Sequence, residues 1–149
     1  MRICCDIDGV LADVREYVAM YLPHDWKTYF TYTSTFPHIW QLHFIISALL
    51  DNYQNVEVVF ITGRPENNRQ LTRTWLEDIL GLIGILLMRQ DTNHRPTYEI
   101  KREWFRKLKP DLIIDDDPEV VRVAKEEGFL VLQVHGFRAT DNDMVPSNF

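Results

Sequence analysis

The sequence predicts an α/β, Rossmann-like three-layer sandwich with a five-stranded parallel sheet and a small helical or irregular cap insertion. Two patterns carry that prediction. Short apolar runs of strand length alternate with helical stretches, the signature of parallel strands joined by right-handed crossovers. Several of the runs end in polar clusters, and in an open α/β sheet the C-terminal edge of the strands is where the connections diverge and leave a crevice. The 149 residues are read as one domain, 1–149, large enough to bury a core and without internal repeats.

The first run, Arg2-Ile3-Cys4-Cys5, delivers Asp6 and Asp8 at a turn that Gly9 permits. Carboxylates one residue apart repel unless a cation lies between them or one keeps its proton. A hard ion such as Mg²⁺, which takes oxygen ligands and substrate phosphate, suits the place. A plain acidic turn is the bland alternative. A calcium loop fits poorly, because Gly9 is only the fourth residue from Asp6 and a strand precedes it. Cys4 and Cys5 are adjacent in the strand, point to opposite faces and do not pair; they read as buried hydrophobes in a reducing compartment.

A helix is expected over 14–22, stopping before Pro23. Residues 24–37 are aromatic and polar without a period and read as an irregular insertion over the sheet edge. Trp26 and its neighbours there could stack on a base, or form the insertion's own small core. The whole cap-like insertion spans about 14–52. Over 38–52, Ile39, Leu42, Ile45, Ile46, Leu49 and Leu50 recur on one helical face. A strand over 56–61 then runs into Thr62-Gly63-Arg64-Pro65-Glu66, where a hydroxyl, a glycine and a cation make a candidate phosphate cradle. The helix expected over 67–80 has Leu71, Trp75, Leu76 and Ile79 as its apolar face and Gly81 as its stop.

A third strand, 83–88, leads to a polar loop containing Arg89 and an exposed His94. The helix over 98–108 carries Lys101 near its start, where an ammonium opposes the helix dipole unless it reaches an anion. The strand 112–114 enters Asp115-Asp116-Asp117-Pro118, three acids that are costly after an apolar run unless a cation is shared among them. Asp117 is read as the N-cap of a helix over 118–127, leaving Asp115 and Asp116 for chemistry. A fifth strand over 129–134 precedes a loose tail, about 136–149.

Composition narrows the function classes. Hydrophobic content of 46% with 26% charged residues reads as soluble and globular, with no membrane span. The chain goes straight into a strand without a leader, so the expectation is cytoplasmic. A net charge of −6 argues against a protein that coats nucleic acid through a broad basic surface. Between Arg64 and Lys109, however, ten Lys or Arg stand against six Asp or Glu, and that local excess could converge on phosphates.

The order Asp6-x-Asp8-Gly9, then Thr62-Gly63-Arg64, then Lys101, then Asp115-Asp116 resembles the four motifs of the haloacid dehalogenase-like phosphatase superfamily. A narrower resemblance joins residues 72–79, Leu87-Met88-Arg89, Lys101-Arg102-Glu103-Trp104-Phe105, Ile114-Asp115-Asp116 and Leu132-Gln133-Val134 to the 3′-phosphatase domain of phage polynucleotide kinases. Stretches similar to residues 25–30 occur in free-standing relatives. Val10 stands where the superfamily often has Thr, and no Gly-x-x-x-x-Gly-Lys-Ser/Thr loop of a kinase half is present.

The resemblance implies that Asp6 is a nucleophile forming an aspartyl-phosphate and that Asp8 is the acid and base for the leaving sugar oxygen and the attacking water. It implies Mg²⁺ held by Asp6, the Asp8 carbonyl and Asp116, with Asp115 beside them. Thr62 and Lys101 would hold the phosphoryl oxygens, and Gly63, Arg64, Trp26 and Arg89 are the candidate substrate contacts. The substrate so implied is a 3′-phosphate on a DNA or RNA end, with a separate kinase or ligase as partner. Two rivals stand beside it. One is a phosphatase of free nucleotides. The other is a phospho-accepting receiver domain, which would want its acceptor Asp after the third strand and a Lys after the fifth, where Met88-Arg89 and Gln133-Val134 stand.

Overall fold

A computed structural model describes residues 1–137. Five strands form one sheet: β1 (Arg2–Asp6), β2 (Glu57–Pro65), β3 (Ile85–Arg89), β4 (Leu112–Asp115) and β5 (Val131–Gln133). Their order is β3-β2-β1-β4-β5 and every pairing is parallel. β1 is thus central, and the chain builds outward on one side of it before crossing to the other. That reversal at β1 opens the crevice at the C-terminal edge.

The helices divide between the two faces. One face packs Ile3, Cys5, Val58, Phe60 and Ile114 against the segments between β1 and β3. The other packs Cys4, Val59, Ile61 and Ile113 against Phe105, Val120 and Ala124. Cys4 and Cys5 therefore lie on opposite sides, as strand alternation requires. Burial pushes the Cys4 thiol up to about 12 and holds Cys5 well above its ordinary value, so both stay neutral.

Between β1 and β2 come α1 (Arg15–Tyr21), α2 (Trp26–Thr31) and α3 (Trp40–Asn52). α2 lies in the stretch expected to be irregular. It is a six-residue helix, too short to show a period, started by Asp25 accepting from the Thr28 N–H at 2.9 Å. Its aromatics close on each other: the Tyr29 and Phe36 ring centres are 5.3 Å apart, those of Trp26 and Phe30 6.0 Å. In α3 the inward stripe is Ile39, Leu42, Ile46 and Leu49, while Ile45 falls one step round the helix and is exposed.

The helix expected over 67–80 is three pieces: a 3₁₀ turn (Glu66–Asn68), α4 (Arg69–Arg73) and a π-helical segment (Thr74–Ile79). The Leu80 N–H donates to the Trp75 carbonyl, five residues back. This wider turn changes the helix phase. The buried face is Asn68, Thr72, Trp75 and Leu76, one helical stripe that leads up to the widened turn, and the expected Leu71 and Ile79 point outward. β3 begins two residues later than expected, and just before it Gly84 passes close to β2, where a Cβ would lie 2.6 Å from the Val58 carbonyl. α5 (Thr97–Leu108) buries Thr97, Ile100, Lys101 and Phe105 on one stripe, and α6 (Pro118–Glu126) starts at Asp117, which accepts from the Glu119 N–H at 2.9 Å. β5 is shorter than expected. The tail expected from about 136 lies outside the described residues from 138 onward.

Candidate active site

Parallel pairing brings the chemistry together. Asp6 ends β1, opposite Ile61 in β2, so Thr62 lies one residue beyond it; Cys5 is opposite Ile114 in β4, so Asp115 lies one residue beyond that. Lys101 reaches the same point from the buried stripe of α5. Its Nζ is 2.9 Å from Asp6 Oδ1 and 2.7 Å from Asp115 Oδ2, with all three side chains nearly sealed from solvent. The ammonium, which opposes the dipole of α5 near its start, thus reaches two anions.

Burial pushes the Asp6 carboxyl up to about 7; Lys101 pulls it down, while Asp115 and Asp8 add to the rise. Burial likewise raises Asp115 above the usual carboxylate range against the pull of Lys101. For Lys101, burial works against the ammonium, but Asp115 and Asp6 outweigh it and hold its pKa above the ordinary lysine value. The ammonium is thus charged at any working pH. The other oxygen of Asp115 accepts from the Asp117 N–H at 3.0 Å.

Asp6, Asp115 and Asp116 can each bring one oxygen within 4.8 Å of the others. Three buried carboxylates meet one ammonium here, and a divalent cation that prefers oxygen suits the remaining charge. Gly9 makes room for the group. Its φ is +82°, and a Cβ on it would lie 2.3 Å from Asp116 Oδ2. The Asp8 side chain, assigned with these acids as a metal candidate, stands outside the cluster.

Asp8 is held by Arg64 instead. The guanidinium donates from Nε to Asp8 Oδ2 at 2.9 Å and from Nη2 to Oδ1 at 2.5 Å. What reads as a loop at 62–66 is strand with a bulge: Thr62 pairs with Met88 and Pro65 with Arg89, leaving Gly63 and Arg64 as extra residues. The Arg64 N–H donates to Thr62 Oγ1 at 3.1 Å, and the Arg64 side chain turns inward, fully buried, over the Phe36 ring. Burial opposes its charge, but Asp8 outweighs that and keeps its pKa above the ordinary arginine value.

Arg89 is also committed inward. It donates to the carbonyls of Gly63, Asn93 and Arg95 and to Thr97 Oγ1, tying the bulge of β2 to the start of α5. Trp26 packs in the aromatic cluster of the insertion, and His94 is exposed. Of the basic stretch, Arg64 and Lys101 reach the crevice, and five of the other arginines are held in ion pairs. Arg69 pairs with Glu66, Arg73 with Glu77, Arg95 with Glu103, Arg102 with Glu126 and Arg106 with Glu127.

Three residues of this site were not singled out from sequence. Thr72 accepts from Arg64 Nη1 at 3.2 Å and donates to Asn68 Oδ1 at 3.1 Å. Tyr29 is buried near Asp8 and Arg64, and burial holds its hydroxyl well above the usual value. The spacing Asn68, Thr72, Trp75 was the available signal: polar residues on the stripe that leads into a buried aromatic.

An aspartate at the end of the central strand, braced by a buried lysine and flanked by two acids from the next strand, on a five-stranded parallel sheet, defines a haloacid dehalogenase-like phosphatase. The family model of the polynucleotide kinase PNKP phosphatase domain matches residues 1–137, and the chain belongs to that family. It is therefore a phosphoric monoester hydrolase by family.

Among solved structures, a chain of the Pnkp1/Rnl/Hen1 RNA repair complex is similar with a TM-score of 0.72 and 21% identity over 89% of this chain. This chain spans 42% of that one. A haloacid dehalogenase-like hydrolase from Streptococcus pneumoniae gives 0.62 and 14% over 98% of this chain and 90% of its own. The HAD domain of the effector protein Lem4 from Legionella pneumophila gives 0.54 and 16% over 94% and 87%. These likenesses establish the fold. No curated protein matches the chain. No helix among the described residues is long and apolar enough to cross a membrane.

Proposed function

We propose that this chain is a Mg²⁺-dependent phosphatase that removes a 3′-phosphate from nucleic-acid ends through an aspartyl-phosphate. The observation that carries the reading is Asp6 braced by Lys101 at 2.9 Å within the acidic cluster. A carboxylate attacking a phosphate dianion meets repulsion, and the ammonium lowers it at both partners. Asp6 and Asp116, with the Asp8 carbonyl, would hold Mg²⁺, which when bound neutralises charge on the phosphoryl oxygens.

Asp6 Oδ attacks phosphorus; the bond to the sugar oxygen breaks and that oxygen takes a proton from Asp8. In the second half Asp8 removes a proton from water, the water oxygen bonds to phosphorus, and the acyl-phosphate P–O bond opens to release phosphate and restore Asp6. Thr62 and Lys101 hold the phosphoryl oxygens throughout. Arg64 keeps Asp8 oriented for both steps, which is a positioning role rather than the substrate contact expected from sequence.

A phosphatase of free nucleotides is the second reading, favoured by the ion-paired state of the basic stretch, which leaves few guanidinium groups there for a long strand. The test is phosphate release from a 3′-phosphorylated oligonucleotide beside matched 3′- and 5′-mononucleotides, with Mg²⁺ and with EDTA. Preference for the oligonucleotide supports end healing, with a kinase or ligase as its natural partner. Preference for mononucleotides keeps the chemistry and moves the substrate.

A further inference from the structure

A chain of buried polar side chains runs from Asp8 away from the sheet edge and into the insertion. Its direction is forced by donor chemistry. Arg64 has only donors, so Thr72 Oγ1 must accept from its Nη1 at 3.2 Å. The hydroxyl proton of Thr72 then goes to Asn68 Oδ1 at 3.1 Å. With its oxygen facing Thr72, the Asn68 amide has its nitrogen toward the insertion, where Nδ2 donates to the Phe30 carbonyl at 3.1 Å. Thr33 Oγ1 lies 2.9 Å from both Asn68 Oδ1 and the Phe30 carbonyl and closes the far end. Arg64, Thr72 and Thr33 are fully buried and Asn68 is 5% exposed, so no water stands ready to replace a missing partner.

We propose that Asn68 is a positioning residue for proton transfer, the joint through which the insertion holds Arg64, and with it Asp8, in place. The alignment of Asp8 rests on two hydrogen bonds from one guanidinium. Among the described residues, the hydrogen bond from the remaining direction of that guanidinium, Nη1, goes to Thr72 and through it to Asn68. Without the Asn68 acceptor, Thr72 can turn its proton to the helix carbonyls behind it, and Arg64 loses its fixed stop. The insertion therefore aligns the acid as well as covering it. This inference rests on the acid and base role given to Asp8 in the proposed function.

The experiment compares kcat/KM for Asn68→Ala and Asp8→Asn on two leaving groups, p-nitrophenyl phosphate, whose phenolate needs little protonation, and a 3′-phosphorylated oligonucleotide, whose sugar oxygen needs it. The kcat/KM reports the steps up to leaving-group departure and leaves out the later attack of water, where Asp8 acts as base on either substrate. A general acid contributes roughly 10²–10⁴-fold, so partial misalignment in Asn68→Ala is expected to slow the oligonucleotide about ten- to a hundredfold. The kcat/KM for p-nitrophenyl phosphate should stay within about twofold, because the acid contributes little to that departure. Equal losses on both substrates, or no loss on either, would overturn the proposal. Should Asn68→Ala fail to fold by circular dichroism, Thr33→Val decides: a loss confined to the poor leaving group supports the link, and an unchanged or uniform effect overturns it. If the wild-type chain prefers mononucleotides, a 3′-mononucleotide serves as the poor leaving group, so an error in substrate leaves this test standing. If Asp8→Asn itself slows both leaving groups equally, the acid role fails and this inference with it.

Discussion

Asp6 is the residue whose loss should be most selective. Asp6→Asn keeps the shape of the side chain and its place beside Lys101, but an amide oxygen cannot form the acyl-phosphate. Turnover should fall below detection while the circular dichroism spectrum and melting cooperativity remain those of the wild type; activity in a clean preparation would remove Asp6 as nucleophile. Gly9 tests the architecture around it. Gly9→Ala would place a left-handed residue at φ +82° and a methyl group 2.3 Å from Asp116 Oδ2. The backbone conformation alone costs about 1–2 kcal/mol, so a lower melting temperature together with loss of Mg²⁺-supported activity is expected. A variant with wild-type melting and activity would show that the turn tolerates the displacement of Asp116. At this scale the sequence was informative about residue types and silent about partners. Asp6, Asp8, Asp115 and Asp116 could be chosen from their strand-end positions, and Lys101 from its place near the start of a helix. That Arg64 serves Asp8 depends on two residues 56 positions apart and on a bulge that turns one inward, and no local pattern encodes it.

Among the elements, the π-helical segment after α4 has the clearest consequence. Trp75, from which the wider turn starts, lies in the core, 1% exposed, with Nε1–H donating to the Phe36 carbonyl at 2.8 Å. That bond fastens the end of the insertion to the helix that presents Thr72 to Arg64. Trp75→Phe keeps an aromatic ring but leaves a buried carbonyl without that donor, a loss of about 1–3 kcal/mol. Urea unfolding should show a lower midpoint at unchanged slope, and an unaltered midpoint would mean that the carbonyl finds another donor. Strand and helix existence was readable because alternation and helical spacing are local. Two elements were not. α2 is shorter than the period needed to recognise it, and the π-helical segment holds Trp75 to Phe36, 39 residues away, a contact that no local pattern encodes.

For the whole molecule, the acidic cluster couples ionisation to folding. The Asp6 carboxyl is pushed up to about 7, whereas its ordinary value is 3.8. The folded state therefore holds a proton there that the unfolded chain has already lost, and this contribution lowers stability as pH rises through that window. A divalent cation at the same carboxylates competes with the proton. In EDTA the melting temperature should fall between pH 6 and pH 8, and Mg²⁺ should raise it more at pH 8 than at pH 6. An equal increment at both pH values would place the cation away from Asp6. Fold class and sheet direction were legible at this scale from the alternation of elements alone. The neutralisation of the basic stretch was not, because Arg102 and Arg106 find Glu126 and Glu127 only once α5 and α6 lie side by side.

The strand order β3-β2-β1-β4-β5 has one more consequence. Asp6, Asp8, Thr62 and Arg64 arrive with the first half of the chain, and Lys101, Asp115 and Asp116 with the second. The reactive centre is a seam between those halves, closed only when α5 and β4 settle against β1. Neither half alone brackets Asp6, so on the proposed mechanism a partly made or partly refolded chain is chemically silent. Phosphate release during refolding thus times the closing of that seam, whatever helix has already formed on either side of it.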